Sequence, residues 1–115
     1  MPLLRLQTNL EPHQGKQSAL TAALSKKISE WLDKPEDYVQ VILECGVSMR
    51  FAGTEDATVF AEVRSLGYYG LNQAEISHAL CEFLSTECSV SQDRIFINFF
   101  DLPRENWGWN GKTFG

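Results

Sequence analysis

The chain has 115 residues, 43% hydrophobic and 22% charged, the balance of one ordinary globular domain spanning 1–115. Its net charge is −5, and no basic stretch runs longer than Lys26-Lys27. This argues against nucleic acid and anionic membranes as partners, while leaving room for a small anionic substrate held by one local cation.

No apolar run approaches the roughly 18 residues of a membrane-spanning helix. The N-terminus also lacks the basic-then-apolar order of a signal peptide. The odd set Cys45, Cys81 and Cys88, without short paired spacing, suggests a reducing compartment. The expected residence is therefore cytoplasmic, and any secretion would follow a leaderless route. All three cysteines read as small buried hydrophobes.

The chain opens Met1-Pro2-Leu3-Leu4-Arg5-Leu6. A proline after the initiator methionine favours removal of Met1, which would leave a free secondary amine. An α-amino group has a pKa of about 7.7–8.0. An apolar pocket or a nearby cation lowers it further, and a neutral amine at pH 7 can act as a general base. Taken alone, Pro2 reads first as a residue that merely permits processing at a frayed end. The apolar run after it predicts instead a strand, Leu3 to Thr8, that ties the terminus down.

Gln14 to Leu32 reads as a helix, with Leu20, Ala23, Leu24, Ile28, Trp31 and Leu32 on one stripe. Lys34-Pro35 ends it, because proline disfavours helix in the residue before it. Tyr38 to Leu43 is a second strand rich in β-branched residues. Cys45 to Asp56 reads as a loop around a short strand, Ser48 to Phe51. The plan then repeats. Thr58 to Ser65 is a strand, Gly67 to Gly70 a turn, and Asn72 to Glu87 a helix whose Asn72 and Glu75 resemble a capping box. Arg94 to Phe100 is a strand, and Asp101 to Gly115 is a tail carrying Pro103, Trp107, Trp109 and Phe114.

The expected fold class is α+β. Two β-α-β units form a four-stranded sheet with both helices on one face, each unit linking parallel strands. The other face reads as apolar, so a second subunit is its simplest cover.

Familiar catalytic motifs are missing. His13 and His78 lack metal-ligand spacing. Gly67-Tyr68-Tyr69-Gly70 lacks the lysine and helix-opening pattern of a phosphate loop. The residues left to carry chemistry are Pro2, Lys34, the Ser65-Leu66-Gly67 strand end, Asn98 and the aromatic tail. Structural readings stand beside each. Lys34 could be a helix C-terminal cation, Asn98 could satisfy buried backbone groups, and Trp109 and Phe114 could be packing.

Together, Pro2, Lys34-Pro35 with Tyr38, Ser65-Leu66-Gly67, the strand from Asp93 to Asp101, and Gly108-Trp109-Asn110 with Thr113-Phe114 run the length of the chain. In these pieces and their spacing the chain resembles the macrophage migration inhibitory factor family of the tautomerase superfamily. The resemblance implies a homotrimer with active sites between subunits and no cofactor. It implies tautomerisation of phenylpyruvate-like α-keto acids, with Pro2 as base. Lys34 and the Leu66 N–H would hold the substrate, Asn98 would come from the neighbouring subunit, and Tyr38, Trp109 and Phe114 would line an aromatic slot. The family also includes cytokines, so a signalling or binding protein with a secondary pocket is the alternative. Two departures stand out. Phe96 replaces the family's usual tyrosine and removes one pocket hydroxyl. Thr58-Val59-Phe60-Ala61 lacks the Cys-x-x-Cys of some animal members, which argues against a thiol-disulfide oxidoreductase.

Overall fold

The computed structural model describes residues 1–13 and 15–115. Its main elements are β1 (Leu3–Thr8), α1 (Lys16–Leu32), β2 (Gln40–Glu44), β3 (Val59–Ser65), α2 (Gln73–Cys88) and β4 (Ile95–Asp101). A small hairpin of β5 (Gly108–Trp109) and β6 (Lys112–Thr113) closes the chain.

The four long strands form one sheet in the order β2-β1-β3-β4. β1 and β2 are parallel, as are β3 and β4, and the two halves meet antiparallel at β1 and β3. Both β-α-β units therefore form as the sequence predicts. Leu4 and Leu6 of β1 and Val59, Ala61 and Val63 of β3 point into one core with Leu24, Ile28 and Leu32 of α1 and Ile76, Leu80 and Leu84 of α2. Each fully buried leucine or isoleucine contributes about 1.5–3 kcal/mol relative to exposure.

The helices end as their local chemistry dictates. Asp33 turns left-handed (φ 51°), its N–H bonding back to Glu30 O, and the Lys34 N–H reaches Ser29 O at 3.0 Å. The Ser29 hydroxyl donates to Lys34 O. Lys34 thus leaves the helix with its backbone held at both ends. At the start of α2, Asn72 Oδ1 accepts from the N–H groups of Ala74 and Glu75 at 2.9 and 3.2 Å. Only this arm of the expected capping box is made. The predicted helix start at Gln14 lies outside the described residues.

Four expectations need correction. The strand Tyr38 to Leu43 begins only at Gln40, because Glu36–Tyr38 forms a 3₁₀ turn with Tyr38 N–H bonded to Pro35 O. The short strand Ser48 to Phe51 is absent; Phe51 and Thr54 make a single isolated bridge. The cysteines are free and half-buried rather than buried. Burial pushes the Cys81 thiol up; it does the same for Cys88, aided by the nearby Cys45 and Glu87 charges.

The fourth concerns the sheet face away from the helices, which is not simply apolar. A charge ladder crosses it: Arg5 binds Glu44 at 3.2 Å and Glu62 at 2.9 Å, and Glu62 binds Arg64 at 2.9 Å. Arg64 in turn lies 4.3 Å over the Phe100 ring. Alternation along each strand places these charges in register with Phe60, Phe96 and Asn98 on the same face.

Candidate functional site

The N-terminus is tied down before β1 begins. Pro2 is buried, its carbonyl accepts the Gln40 N–H at 3.1 Å, and the Met1 amine donates to Tyr38 O. The 3₁₀ turn that delays β2 is what brings Tyr38 here. Its ring sits edge-on to Trp109 (5.6 Å between centroids, 80°) and to Phe114 (6.0 Å, 87°), while Trp109 and Phe114 stack at 5.8 Å and 9°. Such edge and stacked pairs add roughly 0.5–1.5 kcal/mol each beyond their burial.

Trp109 and Phe114 are held by the terminal hairpin. Asn110 (φ 53°) and Gly111 (φ 77°) form its two-residue turn. An Asn-Gly pair suits the left-handed backbone that such tight turns require. The Phe114 N–H then pairs with Trp107 O at 3.2 Å, and Arg104 Nε donates to Phe114 O at 3.0 Å. Met1, Pro2, Tyr38, Trp107, Trp109 and Phe114 line one cavity of about 390 Å³.

Lys34 lies in a neighbouring cavity of about 560 Å³ with Leu66, Gly67, Tyr69, Asp101 and Arg104. Gly67 adopts φ 80°, and its N–H is held by Asp101 Oδ1 at 3.0 Å. The Tyr69 ring packs on Gly67 so closely that an added Cβ would lie 2.6 Å from it. The two cavities meet electrostatically at the terminus. Burial, and then the Lys34 charge, push the Met1 amine down from its ordinary 8.0 to about 6. Both causes disfavour the ammonium form, so an amine here is largely neutral at pH 7.

The sequence-predicted site residues therefore fall into three groups. Pro2, Tyr38, Trp109 and Phe114 share one cavity. Lys34 and Leu66 share the next, although the Leu66 side chain itself is buried in the core. Phe96 and Asn98 join neither. Both lie on β4, on the open sheet face; Phe96 is 60% exposed with its ring 4.5 Å from Phe51, and Asn98 stands opposite Glu62. Trp107 was missed as a cavity residue. Its signal was its place two residues before Trp109, within reach of the same hairpin.

Among the described residues no group of three or more His, Cys, Asp or Glu stands close enough to hold a metal ion. No helix among them is long and apolar enough to cross a membrane. The arrangement sets an aromatic cluster beside a terminal amine, with Lys34 and Arg104 as the cations of the adjacent cavity.

Known proteins share this organisation. The family model described as Macrophage migration inhibitory factor (MIF) matches residues 1–115. The macrophage migration inhibitory factor of Rattus norvegicus is 32% identical over 115 residues, covering 99% of each chain. The homolog from Brugia malayi is 32% identical over 117 residues, covering both chains completely. The crystal structure of the homologue from Prochlorococcus marinus superposes with a TM-score of 0.90 at 38% identity, covering 98% of this chain and 99% of that one. With the family model matched from end to end and the sheet order and helices shared, the chain belongs to the macrophage migration inhibitory factor family.

Proposed function

We propose that the protein is a cofactor-independent keto–enol tautomerase of phenylpyruvate-like α-keto acids, working as a homotrimer with the Pro2 amine, freed by loss of Met1, as its base. The observation that carries this reading is the placement of Pro2, buried ahead of β1 and lining one cavity with Tyr38, Trp109 and Phe114. The Met1 amine one residue before it is pushed down from 8.0 to about 6 by burial and the Lys34 charge. While Met1 is attached, the Pro2 nitrogen is part of an amide and has no basic lone pair. Once Met1 is removed, the secondary amine occupies the same apolar, lysine-flanked corner.

In the reaction the amine takes a proton from the carbon next to the keto group, and the same proton is delivered to the oxygen. One C–H bond breaks and one O–H bond forms, with no redox change. Lys34 and the Leu66 N–H hold the carboxylate, and the Lys34 charge also favours the enolate. Tyr38, Trp109 and Phe114 hold the ring.

Phe96 and Asn98 serve a neighbouring subunit's site in this reading. Asn98 shares a row with Arg5 and Glu62, three residues along β1 and two strands across from Pro2. That is roughly 14 Å from its own Pro2 at ordinary strand spacings, and on the opposite face. The high exposure of Phe96 supports an intersubunit role.

The test is phenylpyruvate tautomerase activity on protein whose intact mass shows Met1 absent. Activity that disappears in Pro2→Gly, with assembly unchanged, is the expected result. An inactive processed wild type would overturn the proposal. It would favour the second reading, a cytokine-like binding protein with a vestigial pocket, which the names of the rat and Brugia malayi relatives support.

A further inference from the structure

Ser65 presents a buried polar group that nothing in the fold explains. Its residue is fully buried at the end of β3, and its Oγ has no hydrogen-bond partner among the described residues. Leaving a buried hydroxyl unpaired is costly, and an alanine would fill the position without that cost. Its backbone is well used, since Ser65 O accepts the Leu102 N–H at 2.9 Å. Only the hydroxyl is idle.

The register shows what the hydroxyl faces. β1 and β3 pair Leu3 with Arg64 and Leu4 with Val63. One further step sets Pro2 opposite Ser65. Alternation puts both on the helix-covered side with Leu4 and Val63, in keeping with their burial. The Pro2 carbonyl is turned toward β2, where it accepts from Gln40. The Pro2–Ser65 pair is therefore of the non-hydrogen-bonded kind, in which cross-strand side chains approach most closely. The side chain of Pro2 is a ring that contains its own nitrogen. With Met1 attached, that nitrogen has neither a proton to donate nor a lone pair to share. Without Met1, it has both.

We infer that Ser65 is the positioning residue for the Pro2 amine: its hydroxyl accepts the amine N–H and leaves the lone pair directed into the cavity. The inference rests on the tautomerase reading for its catalytic consequence, but not for the bond itself. Removal of Met1 completes the hydrogen bond, so the idle hydroxyl belongs to the unprocessed chain.

The experiment is a two-by-two comparison of Ser65 and Ser65→Ala, each with Met1 retained and with Met1 removed, the forms distinguished by intact mass. With Met1 retained, Ser65→Ala should leave Tm unchanged or raise it. With Met1 removed, it should lower Tm by about 4 °C, the scale of one lost hydrogen bond. In the processed protein it should lower kcat about tenfold with KM within about twofold. Ser65→Cys, nearly isosteric and a weak acceptor, should recover part of kcat. Equal Tm shifts in both forms, or an unchanged kcat, would overturn the inference. An inactive processed wild type would defeat the tautomerase reading, while the Tm comparison would still decide the bond.

Discussion

Asp101 Oδ1 accepts the Gly67 backbone N–H at 3.0 Å. This bond ties the last residue of β4 to the turn that follows β3, where Leu66 borders the Lys34 cavity. The left-handed Gly67 would be strained with any side chain, and an added Cβ would also displace the exposed Tyr69 ring. Asp101→Ala should cost about 1 kcal/mol of stability. Through the loosened turn it should lower kcat/KM for phenylpyruvate about tenfold. Urea unfolding and steady-state kinetics on the same preparation check both. A stability loss with unchanged kinetics would detach the turn from catalysis.

The terminal amine predicts a pH profile. A protonated amine cannot accept a proton, so kcat/KM of the processed enzyme should rise with pH as the amine deprotonates. The midpoint should fall below that of a solvent-exposed terminal proline, because the burial and Lys34 charge that depress the Met1 amine act on the same corner of the fold and disfavour the ammonium. Lys34→Ala removes the like charge, so the midpoint should move up while KM rises through loss of the carboxylate's partner. A pH series of kcat/KM on the two proteins decides the sign; a downward shift would contradict the assignment.

Glu62 is the centre of the charge ladder, receiving Arg5 on one oxygen and Arg64 on the other. Its side chain is 12% exposed, against 37% for each arginine. Glu62→Gln would leave two cations close together without their shared anion. Since the arginines remain partly hydrated, the cost should be about 2 kcal/mol. It should shrink as salt is raised, which equilibrium unfolding at two ionic strengths would measure. Under the trimer reading the open sheet face is an assembly surface, so sedimentation of the same variant should also show weakened assembly.

Phe96 offers a specificity test. Under the trimer reading its exposed ring borders a neighbouring subunit's slot without offering a hydroxyl. Phe96→Tyr should then sharpen discrimination between phenylpyruvate and its para-hydroxy analogue, by roughly the tenfold that one added hydrogen bond can supply. Unchanged relative kcat/KM for the two substrates would show that this ring does not face the slot.

Much of the architecture was readable from local patterns. The stripes Leu24-Ile28-Leu32 and Ile76-Leu80-Leu84 named the buried helix faces, and the repeated strand–helix–strand plan foretold the two parallel pairs. The resemblance named the cavity residues Pro2, Tyr38, Trp109 and Phe114, which do converge. The tail hairpin went unread although Asn110-Gly111 signals it, because two-residue strands leave too little periodicity to notice. The open face was misread as apolar. Arg5, Glu44, Glu62 and Arg64 are scattered along the chain, and only their pairing makes them a neutralised ladder.

The division follows the range of the forces. Helix stripes, caps and strand alternation depend on residues a few positions apart, so the order and type of the main elements were already present in the chain's own pattern. Strand order, register and the cross-strand neighbours depend on contacts between distant segments. Folding alone therefore determined that Met1 meets the Tyr38 carbonyl, that burial and then the Lys34 charge lower the terminal amine, and that Asn98 faces away from its own Pro2. The register of β1 on β3, extended by one step, likewise places Ser65 opposite Pro2, a relationship that no local pattern contains.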